Sequence, residues 1–140
     1  MNRFIPYTPK IGASGAKNVY ALLYVGLGGF IGAVFRFILS TAIQGSARFP
    51  IGTLGVNILG SFTLSLITFG AERSSALPES SRLFLAVCML GAFTTMSTFS
   101  LETFRLVEEK QGLLFLANLA LNNILCLAGI YMGKLASTLL

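Results

Sequence analysis

The chain has 140 residues, of which 54% are hydrophobic and 11% charged, and its mean hydropathy is +0.79. That length suits one domain, and the composition is not that of a soluble one, in which about a quarter of residues are charged. The net charge is +5, but no basic run interleaves with aromatic residues, which argues against nucleic acid; with no His, Asp or Trp, the chain lacks an imidazole base or metal ligand and most enzyme chemistry.

In chain order, residues 1–18 read as a polar N-terminal tail containing Pro6, Pro9, Gly12, Ser14 and Gly15, expected to be loosely ordered. Residues 19–140 then read as a transmembrane domain. Arg3 precedes only a few apolar residues, so no signal peptide is visible there. Four apolar stretches follow: Val19–Ile43, with Arg36 as its single charge, Ile51–Ala71, Leu83–Leu101 and Gly112–Gly133. Each is near or above the roughly 20 residues that span a bilayer core. None shows the polar stripe of a soluble amphipathic helix. The fold expected is an all-α membrane protein of four transmembrane helices with short connections. Four spans put both termini on one side, where six basic residues face four on the other, so charge barely fixes the orientation.

The first span carries Gly28 and Gly32 four residues apart, a spacing that lets helix backbones approach in lipid. Gly129 and Gly133 repeat it in the fourth. Arg36, near the end of the first span, either snorkels to the interface or draws anions to a pore mouth. Asn57 lies between Val56 and Ile58 in the second span. Its amide must face another helix or a wet path, because unpaired polar groups are costly in hydrocarbon.

The third span holds Gly91-Ala-Phe-Thr-Thr-Met-Ser-Thr-Phe-Ser100. Hydroxyl side chains compete for backbone groups, so this run admits two structures. In one, the helix breaks at membrane depth; freed carbonyls would then suit a small hard cation, and amides or hydroxyls an anion. In the other, the helix is continuous and its hydroxyls bond back to the preceding turn. Phe99 lies one turn beyond Met96, on the same face. Glu102 closes the polar stretch. In the fourth span Asn118, Asn122 and Cys126 recur every four residues on one face, with Asn123 about 100° away. They form an uncharged amide track or a set of interhelical hydrogen bonds. Cys88 and Cys126 both sit in apolar segments and read as free thiols.

These residues resemble the Fluc, or CrcB, family of fluoride channels. Gly28-Gly-Phe-Ile-Gly-Ala-Val-Phe-Arg36-Phe is similar to the family's first-helix pattern, and Gly52-Thr-Leu-Gly-Val-Asn57-Ile-Leu-Gly60-Ser-Phe to its second. The stretch Gly91 to Glu102 resembles its most specific signature, Thr-Thr-Phe-Ser-Thr-Phe-Ser followed by Glu. The resemblance covers nearly all of the chain after the tail. It implies an antiparallel, dual-topology homodimer with two fluoride pores, in the cell membrane of a bacterium. Asn57 would donate a hydrogen bond to fluoride, and Phe99 would present its electropositive ring edge. Thr98 and the face of Asn118, Asn122 and Cys126 would extend the polar path. The carbonyls of Gly91 and Thr94 would hold a structural sodium ion on the dimer axis. Arg36 would sit at the vestibule and Glu102 near the pore as a gate.

Two departures from that pattern stand out. Met96 replaces the signature's first Phe, and Cys126 stands where a hydroxyl residue is common. They leave open a heterodimer of two related chains. A dual-topology, proton-coupled drug exporter is the alternative function, but it needs a membrane-embedded carboxylate, and only Glu102 lies near that depth. A third reading is a membrane assembly subunit that transports nothing. If the channel reading holds, Met96→Phe raises fluoride flux from liposomes; an unchanged or lower flux contradicts the role given to position 96.

Overall fold

A computed structural model of the chain describes residues 15–74, 81 and 83–139. Residues 1–14, most of the expected tail, lie outside the described residues, and α1 is already helical from Gly15. Among the described residues every regular element is helical. Helix α1 spans Gly15–Gln44 and α2 spans Ile51–Ser74. A π-helical segment, Leu83–Met89, runs directly into the short α3, Leu90–Phe93. Helix α4 spans Met96–Glu108 and α5 spans Gly112–Ala136, closed by a 3₁₀ turn at Ser137–Leu139.

Among the described residues, four helical stretches are long and apolar enough to cross a membrane: Leu22–Gln44, Ile51–Arg73, Phe84–Glu108 and Gly112–Leu139. The third is made of the π-segment, α3 and α4 together, and it is interrupted at Thr94 and Thr95. Outward-facing side chains are large and apolar, including Phe37 at 71% exposure, Leu113 at 81% and Leu127 at 71%. In water that surface would be untenable; as a lipid or protein contact it is ordinary. The chain is a multi-pass membrane protein.

Helix α2 is the central element, packing chiefly on α5 and also on α1 and α3. The anticipated glycine pairs sit at close helix contacts, the first between α1 and the π-helical segment and the second between α5 and α2. A Cβ at Gly28 would meet Cys88 Cβ at 2.8 Å, and one at Gly32 would overlap the Met89 carbonyl. On α5, Gly129 and Gly133 lie against the Ile58 and Phe62 carbonyls of α2. With no hydrophobic drive between helices in lipid, such close approach supplies the dispersion contact that holds them. Ser65 adds a hydrogen bond from α2 to the Ile130 carbonyl of α5, at 2.6 Å.

Both short turns are locally determined. After α1, Gln44 Oε1 accepts from the Gly52 amide at 2.9 Å, while its Nε2 donates to the Ala47 and Phe49 carbonyls at 2.7 and 3.0 Å. One side chain thus satisfies groups that the start of α2 and the turn leave open. After α4, Lys110 adopts φ 56°. The Gln111 amide reaches the Leu106 carbonyl at 2.8 Å and the Lys110 amide reaches Val107 at 2.9 Å, the paired bonds of a Schellman ending.

Gly60 brings the centre of α2 against the interruption. A Cβ there would overlap Thr94 Cγ2 and come within 3.1 Å of the Phe93 ring. Gly60→Val is therefore expected to destabilise the fold by about 1–3 kcal/mol, the usual range for overpacking. Thermal unfolding in detergent measures this; an unchanged midpoint would show that the approach of α2 to the break is not tight.

Candidate functional site: a broken helix held by an asparagine relay

The third span breaks because its backbone is captured by side chains. Thr94 leaves α3 with φ −81° and ψ 155°, and Thr95 is extended at φ −148° and ψ 115°. In a continuous helix the Thr95 amide would bond the Gly91 carbonyl, and the Thr98 amide the Thr94 carbonyl. Instead the Thr95 amide donates to Asn57 Oδ1 at 2.9 Å. The Thr98 amide donates to Thr95 Oγ1 at 3.2 Å, which makes Thr95 the N-cap of α4. Asn57 also donates from Nδ2 to the Thr95 carbonyl at 3.3 Å, so one amide on α2 grips both sides of one peptide residue.

Two electrostatic ends meet at this break. The last turn of α3 presents carbonyl oxygens, and the first turn of α4 presents amides, the partial negative and positive ends of their helices. The helix is broken rather than continuous, but part of the hydroxyl run still bonds back to the preceding turn. Thr94, Ser100 and Thr103 bond back to the Leu90, Met96 and Phe99 carbonyls at 3.2, 2.9 and 2.6 Å. Thr95 and Thr98 instead belong to the break: Thr95 Oγ1 donates to Thr98 Oγ1 at 3.0 Å and lies 3.2 Å from Ser97 Oγ.

From Asn57 a chain of hydrogen bonds runs through the helices. Asn57 Nδ2 donates to Asn122 Oδ1 at 3.2 Å, and Asn122 Nδ2 donates to Asn118 Oδ1 at 2.9 Å. Asn118 Nδ2 donates to Thr103 Oγ1 at 2.8 Å, and Thr103 donates to the Phe99 carbonyl. The chain leaves α4 at Thr95, crosses α2 and α5, and returns to α4 at Phe99. Asn118 and Asn122 are buried, which is tolerable because each is paired in this way. Asn123, as its angle predicted, is exposed, and it donates to the Leu119 carbonyl of its own helix.

Beside the break lies an open cavity of about 220 Å³. It is lined by Arg36, Phe37 and Ser40 of α1, Thr53 and Val56 of α2, and Thr95 and Thr98 of the third span. It lies on the side of the bundle that carries the α1–α2 turn. Because Thr98 Oγ1 accepts from Thr95, its own proton remains able to point into this space. Arg36, half-buried, is the one cationic group on its wall among the described residues. Thr53 donates to Glu102 Oε1 at 2.9 Å, and Glu102 Oε2 is buried without a hydrogen bond.

The remaining candidates distribute as follows. Phe99 is 5% exposed, whereas Met96, one turn earlier, is 72% exposed. Three residues of helix advance the direction by about 300°, and that offset leaves one side chain inside and the other outside. Gly91 faces open space and Thr94 touches α2 at Gly60. Cys126 is half-buried and free, and Cys88 is buried and free. Thr53, Thr95 and Thr103 were not singled out as candidate site residues. The signal for Thr53 and Thr103 was present in the spacing, since each lies four residues from a candidate, Asn57 and Phe99, on the same helical face.

Removing the middle of the relay orphans a donor on Asn57 and an acceptor on Asn118. Asn122→Ala is expected to lower stability by about 1–3 kcal/mol for each group left unpaired. Chemical or thermal unfolding in detergent checks this, and a wild-type midpoint would mean the relay carries no weight.

Comparison with known proteins places the chain. The sequence profile described as "CrcB-like protein, Camphor Resistance (CrcB)" matches residues 23–134. "Fluoride-specific ion channel FluC 1" of Methanosarcina acetivorans is 42% identical over 120 residues, covering 85% of this chain and 92% of that protein. "Fluoride-specific ion channel FluC 3" of the same organism is 46% identical, covering 80% and 96%. "Fluoride-specific ion channel FluC" of Shewanella loihica is 46% identical over 116 residues, covering 81% and 92%. A match over most of the chain, at this identity and through all four spans, shows that the chain belongs to the CrcB family.

Proposed function

We propose that the chain is a passive fluoride-selective channel that exports fluoride from the cytoplasm across a bacterial cell membrane, acting as an antiparallel dual-topology dimer with two pores. The observation that carries this reading is the hydroxyl-walled cavity under Arg36, ending at the Asn57-held break. Fluoride is small and strongly hydrated, so a site must replace its water with donors. Uncharged hydroxyls and amides do so without the tight hold of a buried cation, and the ion can leave again.

Asn57 is suited to lend such a donor. Its acceptor bond is 2.9 Å, but both of its donor bonds are 3.2–3.3 Å, at the long end for N–H···O. A hydrogen bond to an anion is shorter and roughly twice as strong as a neutral one. An arriving fluoride would therefore compete well for Nδ2. Thr98 would offer its free hydroxyl proton, Arg36 would raise the local anion concentration, and Phe99 would offer its ring edge. Asn118, Asn122 and Cys126 would continue the path along α5. Glu102, bonded by Thr53 on one oxygen and unpaired on the other, would repel or admit an anion as it moves and so act as a gate. Exposed Met96 would meet the partner subunit, where it would face a partner pore.

The break also suits a structural sodium ion. The helical donors for the Gly91 and Thr94 carbonyls are diverted to Asn57 and Thr95, which leaves two hard, neutral oxygens of the kind that replaces a cation's hydration shell. Two such carbonyls from each of two subunits would complete the donor set. The chain's own part is to hold those oxygens on the interrupted backbone.

The test is fluoride efflux from liposomes carrying the purified chain alone, with chloride as control. Fluoride release with chloride retained is expected, and Phe99→Leu should reduce it about tenfold, the worth of one good aromatic contact. Equal release of both halides, or none from the pure chain, contradicts a self-sufficient fluoride channel; rescue only by a second related chain would indicate a heterodimer.

A further inference from the structure

We infer that Thr103, a residue outside the cavity, is a positioning residue that fixes which way the asparagine relay points, and thereby presents the Asn57 amide. The inference concerns flux only through the channel reading above; its structural half stands without it.

The relay has two ends that cannot be reversed. The Thr95 amide can only donate, and the Phe99 carbonyl can only accept. Between them lie three side-chain amides and one hydroxyl, each of which could by itself face either way. Thr103 removes that freedom at the α5 end. Its single proton goes to the Phe99 carbonyl at 2.6 Å, so toward Asn118 it can only accept. Asn118 must then present Nδ2 to Thr103, which leaves Oδ1 for Asn122. Asn122 must in turn present Oδ1 to Asn57. Asn57 arrives with Nδ2 toward α5 and Oδ1 toward the Thr95 amide, the same orientation that Thr95 demands from the other end. The two constraints agree.

Without the hydroxyl only the Thr95 end sets the direction, and the far end of the relay has no acceptor. Asn118 Nδ2, buried, would face a methyl group. Turning Asn118 to find an acceptor sets its NH₂ against that of Asn122. Turning Asn122 as well sets its NH₂ against Asn57. The strain is passed along the relay to the group proposed to meet fluoride.

Substitutions at Thr103 separate this role from packing. Valine matches threonine in shape and lacks the proton; serine keeps the proton and loses a methyl; cysteine is a weak donor and acceptor. If Thr103 sets polarity, fluoride flux per reconstituted protein falls in the order Thr, Ser, Cys, Val, with Ser within about twofold and Val down by about tenfold or more, the worth of the hydrogen bond from Asn57 to the anion. If Thr103 only fills space, Val equals Thr and Ser falls. A second readout is the side-chain amide resonance of Asn57 by NMR, which should move in Thr103→Val and stay in Thr103→Ser. An unmoved Asn57 signal in Thr103→Val, or Val conducting as well as Thr, overturns the inference. Should Thr103→Val not fold, Thr103→Cys must show the partial shift, and no shift there overturns it. A wild-type chain that passes no fluoride refutes the channel reading, while the Asn57 resonance still decides the role of Thr103.

Discussion

The structure depends on one constraint: a backbone interruption at membrane depth must find hydrogen-bond partners inside the protein. In hydrocarbon each unsatisfied peptide group costs several kcal/mol. The third span meets this demand at Thr94–Thr95 by borrowing groups from elsewhere. Asn57 takes both the amide and the carbonyl of Thr95, and the Thr95 hydroxyl takes the amide of Thr98. The rest follows from where those groups must stand. Gly60 lets α2 come close enough for Asn57 to reach, and the glycines of α5 keep the fourth helix beside α2 so that Asn122 can continue the chain of bonds. Packing and polarity are therefore two aspects of one arrangement.

A break satisfied by side chains differs from a kink. The captured amides release the carbonyls they would have bonded, so one interruption yields both an oxygen-rich end and a donor-rich end. The first suits a cation and the second an anion, a few ångströms of backbone apart. The relay then ties Asn57 to the carbonyl of Phe99, so the two residues proposed to contact fluoride share one hydrogen-bonded circuit. A displacement at either would be felt at the other, because the amides between them have a single consistent orientation.

Much of this was legible in the sequence. Four lipid-length apolar runs fixed the fold class, and the glycine spacings pointed to the helix contacts they make. The hydroxyl run signalled trouble for a continuous third helix, although its two readings could not be separated by composition. The helix is broken at Thr94–Thr95, and yet Thr94, Ser100 and Thr103 bond back to the preceding turn, because whether a threonine bonds back or caps depends on whether a foreign group claims the neighbouring amide. That group, Asn57, lies 38 residues away in the sequence. Periodicity likewise put Asn118, Asn122 and Cys126 on one face, but it could not distinguish a water-lined track from a buried relay; two of the three are buried and bonded in series. Met96 and Phe99 show the limit of a one-turn rule, since a 60° difference is enough to bury one and expose the other. The spacing put Thr103 on the face of Phe99, but only the full series of donors and acceptors shows which way its proton points.

The central claim is that the groups gathered at the break exchange a protein hydrogen bond for one to a small hard halide. It is tested most directly by titrating the isotopically labelled protein with fluoride, and separately with chloride, while following the Asn57 side-chain amide and the Thr98 backbone amide by NMR. The account predicts saturable movement of the Asn57 signal with fluoride and little with chloride. Equal response to both halides, or none to fluoride, would contradict it.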